Sequence, residues 1–248
     1  MASFGSYPQN VTFQTVNVSA GGGSENLLIN PRGKINQANE PDGVLSAGQY
    51  FCDGWKAGAA GAEVYIDPDG FRLISGSIVQ LVPNNLEAGR TIRGNMDIIS
   101  GAPVISINGG ADNVLSDAAE YIQFEVSGNN SKFTRLILAE SVSLPIYQQS
   151  VDELPACKKF VQKIRVSEGF LSGSALSSDG TSYKIKSLNF SDMTKIPAAT
   201  VLTQNHGGTG AWVSTFDSIT KSQIVVRLRT NTSASMYLDA EILLDARP

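Results

Sequence analysis

Apolar and polar residues alternate with period two along most of this chain, and turn-forming residues interrupt the alternation at short, regular intervals. Glu63-Val64-Tyr65-Ile66 alternates and stops at Asp67-Pro68-Asp69-Gly70. That tetrapeptide combines a fixed proline φ with a glycine that accepts positive φ, so it predicts a tight turn. Phe71-Arg72-Leu73-Ile74 resumes the pattern, and the two runs predict a hairpin. Further strands are predicted at Ser77–Val82, Thr91–Ile98, Val104–Ile107, Tyr121–Val126 and Phe133–Leu138. Beyond Val166 the pattern returns at Tyr183–Lys186, Ile224–Arg229 and Met236–Leu244. Short strands at this spacing predict an all-β protein, a sandwich or jelly roll.

Residues 150–164 break the pattern. Leu154, Cys157, Phe160, Val161 and Ile164 recur at steps of three and four, which predicts an amphipathic helix. Ser150 or Asp152 can cap it, and Pro155 is tolerated in a first turn. At the other end of the chain, residues 1–24 read as an arm ahead of a Gly-rich hinge at Ala20–Ser24. Tyr7, Val11, Phe13 and Val16 are its candidate attachment residues. A first strand followed by a loop is the alternative reading of the same segment.

Composition narrows the function classes. Charged residues make up 17% of the chain, below the usual quarter, and glycine is abundant, as turn-rich β structure requires. A net charge of −4 and the lack of a basic stripe argue against nucleic acid, whose phosphates need clustered Lys and Arg. The two cysteines, Cys52 and Cys157, have no metal-ligand spacing, so structural zinc is not expected. Free buried thiols are the preferred reading over a disulfide, and they fit folding in a reducing cytoplasm. The N-terminal segment lacks the basic start and apolar core of a signal peptide. No run is long and apolar enough to predict a membrane span.

Catalytic signatures are weak. His206 is the single histidine and sits in Gln204-Asn205-His206-Gly207-Gly208-Thr209-Gly210. An esterase-type oxyanion loop would need a Gly-x-Ser-x-Gly elbow and a separate histidine, and the chain has neither. Gly21-Gly22-Gly23-Ser24 lacks the Lys-Ser/Thr ending of a phosphate loop, and Asp67–Gly70 is too short for an EF-hand loop. Asp67, Asp69, Glu87, Asp97, Glu120 and Glu125 are candidates for a glycosidase carboxylate pair, but the sequence does not place any two across a cleft. No cofactor or metal is expected. The Gly-rich segment reads as a hairpin tip whose Asn205, His206 and Trp212 are the candidate ligand contacts, although Trp212 also suits a core. Trp55 reads as core.

Three ordered segments carry a resemblance to a known family. Asn26-Leu27-Leu28-Ile29-Asn30, whose Leu27–Ile29 reads as a short apolar strand, Ile35-Asn36-Gln37, a strand start, and the strand Tyr50-Phe51-Cys52-Asp53-Gly54-Trp55 resemble the opening of β-sandwich modules in bacteriophage virion fibres, the tail fibres and head fibres. Glu153-Leu154-Pro155-Ala156-Cys157-Lys158-Lys159-Phe160 resembles the helix that closes the first sandwich of such proteins, with Lys159 for the usual Arg and Phe160 for the usual Tyr. Phe190, Met193, Lys195, Pro197 and Thr200-Val201 resemble a later segment, with Lys195 displaced from the usual Arg position. The resemblance implies an attachment arm at 1–24, a jelly-roll-like sandwich at 25–149, a linking helix at 150–165 and a second small sandwich at 166–248.

It also implies a non-enzymatic virion protein, a short fibre or a capsid or tail decoration protein, assembled in the bacterial host cytoplasm. Partners would be other virion proteins, two further copies in a homotrimer, and a host-surface glycan. A standalone carbohydrate-binding module and a polysaccharide depolymerase are the alternatives from other classes.

Overall fold

The computed structural model describes residues 25–170, 182–207, 211–230 and 236–248. Tyr7, Val11, Phe13 and Val16 of the arm lie outside the described residues.

The first module contains β1 (Gly43–Leu45), β2 (Tyr50–Cys52), β3 (Trp55–Asp67), β4 (Gly70–Pro83), β5 (Thr91–Ser100), β6 (Val104–Ile107), β7 (Asn113–Leu115), β8 (Tyr121–Ser127) and β9 (Ser131–Glu140). The predicted hairpin is the β3–β4 connection, closed by Asp67 opposite Gly70. Strand β4 organises the nine-stranded sheet. Its first residues, Phe71–Leu73, pair with β9, whereas Ser77–Pro83 pair with β8. The sheet therefore forks at β4 into a limb through β9, β5 and β7 and a limb through β8 and β6. The limbs enclose an apolar core in which Trp55, Phe71, Phe124 and Phe133 make edge and stacked ring contacts. Each such pair contributes about 0.5–1.5 kcal/mol beyond the area it buries.

The opening Asn26–Trp55 stretch is a polar latch under this core. Leu27–Ile29 does not join a ladder, contrary to the strand expected there. Its backbone is satisfied by other means: Leu27 N donates to Leu138 O, and the Gln80 side-chain amide both donates to and accepts from Ile29. Ile35-Asn36-Gln37 is also irregular. Buried Asn30 exchanges hydrogen bonds with the Ile35 backbone through both ends of its amide and also donates to Asp53 O. The Trp55 indole donates to Asn30 O at 2.9 Å, so the largest core side chain leaves no polar group unpaired. Tyr50–Trp55 is a tight hairpin, not a single strand, and it turns at Gly54 with φ +82°.

The helix α1 spans Leu154–Lys158, far shorter than the expected 150–165. Pro155 occupies its first turn as anticipated, but Glu153 stands at the N-cap without a side-chain cap bond. Phe160 N reaches back to Cys157 O and closes the turn. Val161 then enters a ladder opposite Asp245. The apolar positions at Val161 and Ile164 thus belong to a strand, because pairing along ten residues outcompetes extension of a short helix.

The second module contains β10 (Val161–Phe170), β11 (Ser182–Asn189), β12 (Ala198–Gly207), β13 (Ala211–Ile219), β14 (Gln223–Thr230) and β15 (Met236–Asp245). They form two three-stranded antiparallel sheets, β10-β15-β12 and β11-β14-β13. Leu238, Ala240, Ile242 and Leu244 of β15 and Ile224, Val226 and Leu228 of β14 share the core between them, joined by Met193. The chain is an all-β protein of two sandwich modules joined by one short helix.

The modules meet through a polar junction. The Arg247 side chain, 5% exposed, is held by Asp245 and by Glu40 of the first module. Gln37 Nε2 donates to both Asp53 Oδ2 and Val161 O, each at 2.7 Å. Arg32 reaches Glu153 at 3.1 Å.

Candidate functional site

Strand β15 sets one face of the second module. Its even-numbered residues Leu238 to Leu244 are buried, so Tyr237, Asp239 and Glu241 stand on the outward face. The registers place Arg165 and Lys163 of β10 and Thr203 and Asn205 of β12 beside them. Arg165 grips Asp239 through two parallel hydrogen bonds, Nε to Oδ1 at 2.6 Å and a second from NH2 to Oδ2. Those bonds hold the Asp239 carboxyl below the usual carboxylate range and raise Arg165. Arg165, Thr203, Asn205, Asp239 and Glu241 line a groove of about 310 Å³.

Tyr237 shares this outward face of β15, two residues before Asp239, and is 54% exposed. Its cross-strand neighbours are Gly169 on β10 and Gly207 on β12. Neither carries a side chain, and more than half of Tyr237 is exposed on the face that holds Asp239 and Glu241. A flat apolar ring flanked by a bidentate Arg–carboxylate pair and an amide can hold a ligand that is apolar on one face and hydroxylated at its edge.

Of the expected contacts, Asn205 falls within this groove and is exposed. The side chains of His206 and Trp212 lie outside the described residues. Their backbone positions correct the expected hairpin tip: His206 is on β12 opposite Leu238, whereas Trp212 is on β13 opposite Arg229, in the other sheet. Tyr237 was missed in the sequence although it shares parity with Asp239 and Glu241, which is a readable signal of an outward ring.

The carboxylates proposed as a glycosidase pair are placed in other surroundings. Asp67 is bound by Lys132 at 2.9 Å and Arg72 at 3.1 Å, which holds its carboxyl below the usual range. Asp69 pairs with Lys132, Asp97 with Arg135, and Glu125 accepts from Gln123. Asp69 and Asp97 do share an open cleft, but Arg32, Lys34 and Arg135 also line it.

Cys52 and Cys157 are free, buried thiols, as expected, and burial pushes both above the ordinary thiol range. Trp55 is fully buried, as expected of a core residue. Among the described residues no group of three or more His, Cys, Asp or Glu is arranged to hold a metal ion. No helix among them is long and apolar enough to cross a membrane. No protein-family model matches the chain, and comparison with curated proteins and with solved structures finds no match.

Proposed function

We propose that this chain is a binding protein of a bacteriophage virion, a short fibre or a capsid or tail decoration protein, and that the outward face of β10-β15-β12 engages a host-surface glycan. The resemblance of the three ordered motif segments to virion fibre modules supports the virion part of the reading. One observation carries the binding part: exposed Tyr237, paired across the sheet with Gly169 and Gly207, shares the strand face of Asp239, which lines a groove with Arg165 and Asn205. Pyranose rings present an apolar face to an aromatic and hydroxyls to carboxylate, guanidinium and amide groups.

A single groove binds weakly. Three copies in a homotrimer would raise avidity by about 10²–10⁴ if the glycan array can span them. The first module and residues 1–24 would then serve attachment to neighbouring virion proteins.

The test is titration of purified host-surface oligosaccharide, followed by NMR on the full chain. Saturable shifts centred on Tyr237, Asn205 and Asp239, lost in Tyr237→Ala, are the expected result. Shifts elsewhere, or none, would reject this face. A standalone carbohydrate-binding module would use the same face as a monomer, so light scattering at micromolar concentration separates the two readings.

A further inference from the structure

Residues 141–151 carry no charged side chain, in a chain that is 17% charged. They follow β9 without joining a ladder. Ile92 and Gly94 of β5 face the core, so the side chains of Arg93 and Asn95 point the other way. Both donate to this segment, Arg93 Nη1 to Val142 O at 3.3 Å and Asn95 Nδ2 to Pro145 O at 2.9 Å. Ser141 N donates to Thr91 O at 2.9 Å, and Pro145 is buried. The segment is therefore a strap pinned across the outer face of β5. It nonetheless leaves Val142, Leu144 and Ile146 exposed by 86%, 52% and 75%, with Val151 bare beyond them. Single exposed aliphatics need no explanation, but several on one pinned segment form an apolar strip that calls for a cover.

We propose that residues 11–18 of the same chain dock on this strip. Three observations single out that occupant. The first is position. Glu25 stands in the wall of a cleft of about 350 Å³, and Tyr147, Gln148 and Gln149, which continue the strap, line the same cleft. The preceding residues thus leave the first module beside the strip, and Ser19–Ser24 can reach about 20 Å at full extension. The second is chemistry. Residues 1–24 have no charged side chain, and Val11, Phe13, Val16 and Val18 match an uncharged aliphatic surface. The third is size. Four aliphatic side chains offer far less than the roughly 800 Å² per partner that a stable free complex buries. A segment on a short tether acts at an effective concentration on the order of mM, so a small contact suffices. The proposal does not rest on the virion reading, and it leaves residues 1–10, with Tyr7, for contact with a neighbouring protein.

The experiment uses the methyl-labelled full chain. Nuclear Overhauser contacts are expected from the Phe13 ring to the methyls of Leu144 and Ile146, unchanged on dilution. Phe13→Ser and Ile146→Ser approach the contact from its two sides, and neither alters a buried residue of the described fold. Phe13→Ser should shift the Val142, Leu144 and Ile146 methyls. Ile146→Ser should speed chymotrypsin cleavage after Phe13 about tenfold, the ratio expected if docking covers the segment nine-tenths of the time. Contacts from Phe13 to the separate exposed group Ile98 and Val104, or to no residue of the first module, would overturn the proposal. So would equal cleavage rates in wild type and Ile146→Ser. Contacts that fade on dilution, with light scattering showing a dimer that Ile146→Ser disperses, would assign the strip to a second copy and overturn it as well.

Discussion

The Arg247 guanidinium lies 3.9 Å from the centroid of the Tyr50 ring, and this stack joins the last residues of the second module to the first. The same guanidinium binds Glu40 and Asp245, while the Tyr50 hydroxyl donates to Pro248 O at 2.7 Å. Burial pushes the Tyr50 phenol up to about 12, so it stays a donor at neutral pH. Arg247→Ala would leave two carboxylates without their partner. Removing one member of a buried ion pair costs about 3–5 kcal/mol, and the partial exposure of Asp245 favours the lower end. Urea denaturation should show that loss, and Tyr50→Phe should cost only about 1 kcal/mol for one hydrogen bond. Equal effects of the two changes would mean that the stack is not what holds the modules together.

Asp53 predicts a pH dependence. Burial raises its carboxyl above the ordinary carboxylate range, against the opposing hydrogen bonds from Gln37. The folded state therefore binds the proton more tightly than the unfolded chain. This contribution is most favourable below the unfolded value and is lost as pH rises through the folded one. Asp53→Asn should flatten the stability profile across that window. It should also lower stability at neutral pH by about 1–3 kcal/mol, because Gln37 loses an acceptor that positions its bond to Val161. A slope equal to wild type would remove Asp53 as its source.

Gly54 should not tolerate a side chain. It turns at φ +82°, and a Cβ there would lie 2.7 Å from Ile29 Cγ1 and 3.0 Å from Gln80 Nε2. The Gln80 amide holds the Ile29 backbone, so the clash would loosen the whole latch. Gly54→Ala is expected to cost about 2 kcal/mol or more, read from the thermal midpoint.

The buried thiols predict slow chemistry. In the native protein Cys52 and Cys157 should react with a thiol reagent only at the rate of opening, and both should react at once in denaturant. Fast native labelling of either would contradict its burial.

Tyr237→Ala should leave the urea midpoint within about 0.5 kcal/mol of wild type, as an exposed surface change does. Loss of glycan binding in that variant would then report the face and not the fold. A large loss of stability would show instead that the ring braces the two flanking glycines.

Much of the fold was legible. Alternation located most strands, Asp67–Gly70 marked the β3–β4 turn, and Trp55 was recognisable as core. The failures share one cause. Period-two alternation reports which side chains share a face, but it does not report which strand lies alongside. Leu27–Ile29 has strand composition, yet the Gln80 side chain replaces a neighbouring strand. Val161 and Ile164 fit a helical period and a strand face alike, and pairing with β15 decided between them.

The same division holds for the candidate site. Alternation alone puts Tyr237, Asp239 and Glu241 on one face of an amphipathic strand, because alternate side chains must point oppositely. That Gly169 and Gly207 lie opposite Tyr237, that Arg165 grips Asp239, and that Asn205 and Trp212 belong to different sheets follows from long-range pairing that no local pattern encodes. Residues separated by tens of positions become neighbours through strand pairing, and that pairing is chosen by burial of the whole core and not by any local run of residues.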